Sequence, residues 1–365
     1  MKTIAVLLPS LAALARASPL IARQDIDFDL VNSAPDPSTV SIPIGPTAQS
    51  VTYNLASATA AATATPLPVK AVEKRGIIAA RSACDALPVG AGPTPTPDTA
   101  EAFLDYYLLS NSAIDAEVPT GYEQTFSNLQ ASSSAYGYLG YTTLSSYDTA
   151  AAATQCDSIT GCLGFNIFFE RDPSVETGTG CPNPPSTTVI KAVFWGGYVE
   201  AANANNAGQW RDDFHVVIAG SNGYMKTSIP AVPGFNGEAL GDASISAPDN
   251  CAGQNTYMGS KIFTASVFDP NLCAAACASQ NAYNTAHPPA DGDGGEPMIC
   301  KYFTTYLLAE NGSPEGQYCV LYTQYWDRSY ATNAGQWYGD DHYTVGYAFS
   351  YVNAEDNGVP TDCAE

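Results

Sequence analysis

Apolar and aromatic residues recur along this chain in short blocks, not with the 3.6-residue period of a long helix. Phe165–Phe169, Phe303–Leu308, Val320–Tyr325, Phe214–Ala219 and Tyr343–Phe349 are rich in β-branched or aromatic side chains, which predicts strands. The Gly-, Asn- and Pro-rich stretches between them predict loops. Helices are marked by their caps. Asp269 stands before Pro270, whose missing N–H costs nothing in a first turn, so a helix is expected from Pro270 to about Ser279. Asp148 plays the same part for Thr149–Cys156. A further amphipathic helix is expected over Pro97–Ile114, with Asp98 and Glu101 as a capping box and Phe103, Tyr106, Tyr107 and Ile114 facing the body of the protein.

These elements occur twice in the same order. Asn206-Ala207-Gly208-Gln209-Trp210 is repeated as Asn333-Ala334-Gly335-Gln336-Trp337, and each Trp is followed by an Asp-x-His, Asp213/His215 and Asp340/His342. Upstream, Cys162-x2-Phe165 matches Cys300-x2-Phe303, and the spacing from Asp148 to Cys156 matches that from Asp269 to Cys277. Five identities in a row at matched spacing indicate two copies of one domain.

The amino end reads as an address. A basic Lys2, an apolar run from Thr3 to Ala15 too short to span a bilayer, and the small residues of Ala15-Arg16-Ala17 predict a secretory signal cut after Ala17. The Ala-, Thr- and Pro-rich segment that follows has no Cys and ends at Lys74-Arg75, a dibasic processing pair. It is expected to be a disordered propeptide, and its removal would leave 290 residues with 8 basic and 31 acidic side chains. The predicted organisation is 1–17 signal peptide, 18–75 propeptide, 76–135 N-terminal extension with its helix, 136–230 first repeat, 231–250 linker and 251–363 second repeat.

With 45% hydrophobic residues the chain can bury a core, while a net charge of −22 repels phosphate and excludes nucleic acid and anionic lipid as partners. No later stretch resembles a membrane span. Ten Cys in a secreted chain read as disulfides. Asn311-Gly312-Ser313 is the one N-glycosylation sequon.

In the second copy Cys251, Cys273, Cys277, Cys300, Cys319 and Cys363 allow fifteen pairings from sequence alone. Cys273 and Cys277, one helical turn apart, project from one face and can both meet the sheet carrying Cys300 and Cys319. Here the segment resembles the PAN/apple family of extracellular modules. The resemblance implies Cys277–Cys300 inside Cys273–Cys319, with Cys251–Cys363 joining the termini. The first copy has Ala152 and Ala192 where the second has Cys273 and Cys319, so both halves of one bridge are missing together. Cys156–Cys162 then keeps the other bridge, and Cys84 and Cys181 remain for each other. Ala79 to Cys84, Phe165 to Pro173, Cys181-Pro182-Asn183-Pro184 and Gly208 to Tyr224 are also similar to a class of secreted fungal proteins with two such copies, a class that brings no established activity. The expected fold is α+β: two PAN/apple-like domains, each a single helix disulfide-stapled to an antiparallel sheet, with an additional N-terminal helix.

Candidate chemistry is sparse. The chain has no Gly-x-Ser-x-Gly, His-Glu-x2-His or phosphate loop, three His, and no Cys-x2-Cys pair, so neither metal nor cofactor is expected. Asp291 to Glu296 lacks the ligand spacing of a calcium loop and reads as a solvated insertion. The Asp-x-His pairs read as architectural, a carboxylate–imidazole hydrogen bond closing the Trp-bearing turn, and Trp210 and Trp337 as core. Glu170-Arg171-Asp172 reads as a salt-bridged turn at a strand end, with Glu310-Asn311-Gly312 as its counterpart. Tyr325, Trp326 and Tyr330 are the candidate ligand-contacting patch, where aromatic faces can stack on sugar rings. The expected function is extracellular, or wall-associated, recognition or adhesion by a monomer, with glycan or protein as ligand and no catalysis. The alternatives are a wall-polysaccharide hydrolase using Glu170 and Asp213, which needs a carboxylate pair about 5–10 Å apart, and a structural wall protein without a discrete ligand.

Overall fold

A computed structural model describes residues 25–37, 42–43, 45, 47–63, 82–265, 267–288 and 296–361. The expected signal peptide with Ala17, the Lys74-Arg75 pair, Asp291–Gly295 and Cys363 lie outside them. The helices are α1 Phe28–Ser33, α2 Leu55–Thr63, α3 Ala100–Leu104, α4 Tyr107–Ile114, α5 Thr149–Ser158 and α6 Pro270–Ala286. The strands of the first half are β1 Gln49–Ser50, β2 Tyr122–Leu129, β3 Tyr138–Leu144, β4 Gly164–Pro173, β5 Ser186–Trp195, β6 Gly208–Arg211 and β7 Phe214–Lys226. Those of the second are β8 Phe235–Gly241, β9 Ser244–Ile245, β10 Tyr257–Phe263, β11 Tyr302–Glu310, β12 Ser313–Tyr322, β13 Ala331–Asn333, β14 Gly335–Tyr338 and β15 Asp341–Asn353. The chain is therefore α+β, mostly antiparallel sheet with few helices.

The strands form two large sheets. One runs β1-β3-β5-β4-β7-β2 with β6 also on β7; the other runs β10-β12-β11-β15-β14 with β8 also on β15. Apart from the added edge strand β1, the two orders are the same, and so is the register. Ile167 lies opposite Ala192 as Thr305 lies opposite Cys319. Phe165 lies opposite Tyr224 as Phe303 lies opposite Tyr351. The duplication read from one pentapeptide thus extends through every strand pair of the sheet.

One face of each sheet carries a helix. Asp148 and Asp269 cap α5 and α6, accepting from Ala151 N and Asn271 N. Both helices bury their Cys-bearing side. Four bridges join pairs of described residues, Cys84–Cys181, Cys156–Cys162, Cys273–Cys319 and Cys277–Cys300, and these are the pairs expected above. Cys251 is also disulfide-bonded; the other end of its expected bridge, Cys363, is outside the described residues. Ala152 and Ala192 are both fully buried in the core under α5, at the place Cys273 and Cys319 hold under α6.

Three expectations change. Each copy begins one strand earlier than the repeat suggested. β2, inside the 76–135 extension, pairs with β7, and β8, inside the 231–250 linker, pairs with β15. Both strands carry mixed polar faces and half-exposed positions, so no apolar block marks them. The 97–114 helix is two helices broken at Asp105-Tyr106 and capped by Thr99; Phe103 and Leu109 are buried, whereas Tyr107 and Ile114 are exposed.

The third change is the largest. The described part of 18–75 is ordered against both copies, not a loose tail. Ile26 and Val31 are buried in the core of the second sheet, Ile42 in that of the first, and Ala62 where α2 packs on α6. Tyr53 bonds Asp269 at 2.9 Å. A low-complexity composition hides these contacts, because a few aliphatic side chains and small Ala residues suffice to dock onto preformed apolar faces.

Candidate functional site

The repeated pentapeptide builds an exposed hairpin at the end of each sheet. Asn206 accepts from Gly208 N at 3.3 Å and Asn333 from Gly335 N at 3.1 Å, which turns the chain into the hairpin strand. Gly208 and Gly335 have φ of +104° and +120°, and a Cβ on either would stand 2.1 Å from a carbonyl oxygen of the neighbouring strand, that of Val216 or Tyr343. Only glycine fits there. Two residues on, Trp210 faces His215 and Trp337 faces His342 across the hairpin. The rings lie flat on each other, with centroids 4.2 Å apart and planes 5° apart in the first copy, and 4.5 Å and 20° in the second.

Both Trp side chains are 66% exposed. The expectation that they belong to the core is overturned: the His covers one indole face and the rest of the ring meets solvent. The imidazoles stack in place of closing the turn on a carboxylate, and Asp213 and Asp340 stay exposed in the turns. The hairpins are held from below by unlike groups. In the first copy Arg171 donates to the His215 carbonyl at 3.0 Å and lies over the Phe214 ring, and Arg211 pairs with Glu176. In the second, Asn311 accepts from His342 N at 3.0 Å and donates to Asp341 at 2.8 Å. The sequon residue Asn311 is exposed on the β11–β12 turn beside this second hairpin.

The patch expected at Tyr325, Trp326 and Tyr330 is mostly structural. Trp326 is buried and its indole donates to Thr256 at 2.9 Å. Tyr325, half-buried, meets Tyr302 edge-on, and the partly exposed Tyr330 meets Trp326 edge-on. The three do not share a free surface, because Trp326 points into the second core.

Glu170, Arg171 and Asp172 also differ from expectation. They lie inside β4 between two neighbouring strands, all buried, and their side chains alternate across the sheet. Arg171 bonds Asp98 at 2.9 Å on the helix-bearing side. Burial alone would raise the Asp98 carboxyl, but hydrogen bonds from Ser186 and Arg171 outweigh it and hold it below the usual carboxylate range. On the other side Glu170 pairs with Lys191, whose ammonium also donates to the Pro43 carbonyl at 2.8 Å. Burial, and then the neighbouring Glu170 charge, push the Asp172 carboxyl well above its ordinary value. Lys191 escaped the sequence reading. Its signal is a single charge at an inward position of the apolar run Thr188–Trp195. By register, Glu170 corresponds to Leu308 and Lys191 to Tyr318 in the second copy. The counterpart is thus two residues earlier than Glu310-Asn311-Gly312, and the charge cluster belongs to the first copy alone.

The chain matches no family model, no curated protein and no solved structure. The chemistry of the site therefore stands on these side chains. What the two hairpins offer is a pair of flat, solvent-facing indole surfaces, each stiffened from behind by an imidazole and rimmed by hydrogen-bonding groups.

Proposed function

We propose that this protein is a secreted recognition protein that holds glycan on its two Trp–His platforms, as a monomer and without catalysis. The observation that carries the reading is the same exposed ring pair, Trp210 on His215 and Trp337 on His342, built twice on unlike supports. An exposed indole costs the fold apolar burial, and a flat aromatic face with a polar rim is suited to the apolar face of a sugar ring. The helix α6 stapled by Cys277–Cys300 and Cys273–Cys319 supports the reading of the second copy as a PAN/apple-like extracellular module, and Cys156–Cys162 on α5 with the same strand order supports it for the first. The disulfides are compatible with an oxidising compartment, and no described helix is long and apolar enough to cross a membrane. Hydrolysis by Glu170 and Asp213 receives less support, since Glu170 is buried against Lys191 under Pro43 while Asp213 stands exposed in a turn. The test is a glycan-array screen of the full chain followed by a turnover assay on each hit. Saturable binding without product supports the reading; product formation lost in Glu170→Gln would replace it with the hydrolase.

A further inference from the structure

The face of each sheet opposite its helix is covered by the chain's own N-terminal segment, and the two coverings match. Lys191 and Tyr318 occupy equivalent positions in the two copies, as the register shows: Lys191 lies opposite Phe168 and Tyr318 opposite Tyr306. Each reaches backbone of the N-terminal segment. The Lys191 ammonium donates to the Pro43 carbonyl at 2.8 Å, and the Tyr318 hydroxyl accepts from Asp27 N at 3.0 Å. Tyr141 adds a hydrogen bond to the Gly45 carbonyl at 3.4 Å, and Gln49-Ser50 continues as an antiparallel strand on the edge of β3. In the second copy Gln336 accepts from Ile26 N at 3.2 Å. The two pieces bound, around Asp25-Ile26-Asp27 and Ile42-Pro43, are unrelated in sequence. What they share is non-helical backbone bonded through its own N–H or C=O groups with an aliphatic side chain, Ile26 or Ile42, buried beside it; in the second copy Val31 of α1 joins Ile26 in that core.

We propose that the helix-free face of each copy is a docking groove for extended polypeptide, occupied in the intact chain by its own N-terminal segment. One domain, present twice, takes two unrelated segments in the same place by main-chain contacts, so the groove selects conformation and one aliphatic anchor, not a sequence. A buried Lys–Glu pair is an expensive way to line a plain core, and Met or Leu would pack there at no loss. A cation that reads a backbone carbonyl is useful where the covering chain can be exchanged. The tether holds the self-segment at a high local concentration, so a free peptide competes poorly until the tether or its anchor is lost. The expected partner of the first groove is an extended polypeptide with an aliphatic residue before proline, such as Ile42-Pro43 itself, whereas the second groove takes the acidic Asp25-Ile26-Asp27. This goes beyond the platform reading and does not rest on it, although in the second copy the groove adjoins the hairpin at Gln336, which accepts from Ile26 N beside Trp337.

The test titrates a fluorescent synthetic peptide of residues 42–53 into the full chain by anisotropy. Ile42→Asp removes the aliphatic anchor of the self-segment and is expected to tighten peptide binding at least about tenfold over the wild type. Adding Lys191→Met together with Glu170→Leu to that variant, which removes the buried pair whole, is expected to abolish the gain. Should Ile42→Asp fail to fold by near-ultraviolet circular dichroism, the wild-type chain cut after Arg75 by a paired-basic protease takes its place, with the same gain expected. Equal peptide affinity before and after the anchor or tether is lost overturns the proposal. So does displacement of the peptide by a soluble oligosaccharide and not by excess unlabelled peptide.

Discussion

Phe165 lies nearly flat on Tyr224, ring centroids 5.0 Å apart and planes 22° apart, and Tyr122 meets Phe165 edge-on at 5.5 Å. Phe303, Tyr351 and Phe235 repeat this triad at 5.0 Å and 19°, with the edge contact at 5.1 Å. The third ring of each triad comes from the first strand of its copy, β2 or β8, so the triad locks the outermost strand onto the sheet. Both central rings are fully buried. Phe165→Ala and Phe303→Ala are each expected to cost about 3–5 kcal/mol in urea unfolding, and a loss below about 1 kcal/mol in either would show that its triad does not anchor that strand.

The missing bridge of the first copy can be restored. Ala152 on α5 and Ala192 on β5 stand where Cys273 and Cys319 are joined. The double change Ala152→Cys with Ala192→Cys is expected to oxidise to a sixth disulfide, given the bridged Cys251, and to raise stability by about 2–4 kcal/mol. Non-reducing peptide mapping and urea unfolding check it. Two free thiols under oxidising conditions would show that the halves do not superpose at this point.

Glycine is required at 208 and 335 for the hairpin to carry its Trp. Gly335→Ala is expected to destabilise the fold by about 1–3 kcal/mol through its positive φ alone, with the clash against the Tyr343 carbonyl added. Gly346, which has open space around its Cβ position, serves as the control; Gly346→Ala should be close to neutral in the same thermal scans.

Asp172 gives a pH dependence of defined sign. Its folded-state carboxyl is raised above the unfolded value of about 3.9 by burial and by Glu170. The protonated form is the one the fold accepts, so its contribution is complete below the unfolded value and is lost as pH rises through the folded one. Asp172→Asn, which keeps the neutral shape, should raise the melting temperature more at pH 7.5 than at pH 4. A larger gain at pH 4 would show that the ionised carboxylate is the stabilised form.

Much of this was legible in the sequence, and what was not has physical reasons. The Asn-Ala-Gly-Gln-Trp repeat and the Asp caps are strong local signals for the duplication, α5 and α6, while the pairing of the cysteines follows from the resemblance, with which the paired absence of Cys at 152 and 192 agrees. Strands β2 and β8 stayed hidden because a half-exposed strand with mixed polar residues has no apolar block. Trp210 and Trp337 were misplaced in the core because a large apolar ring is usually buried; the flanking Gly and Asp residues marked a tight exposed turn. The Lys191–Glu170 pair joins residues 21 apart on neighbouring strands, and the docking of Asp27 and Pro43 depends on contacts between segments more than a hundred residues apart, which no local pattern encodes.

Recognition through the two indoles is tested most directly by isothermal titration of the full chain, Trp210→Ala, Trp337→Ala and the double variant with the strongest array oligosaccharide. Each Trp is exposed, so the variants should keep wild-type stability within about 0.5 kcal/mol. Each single change is expected to remove one of two binding events, and the double variant to bind nothing. Undiminished saturable binding by a folded double variant would contradict this expectation.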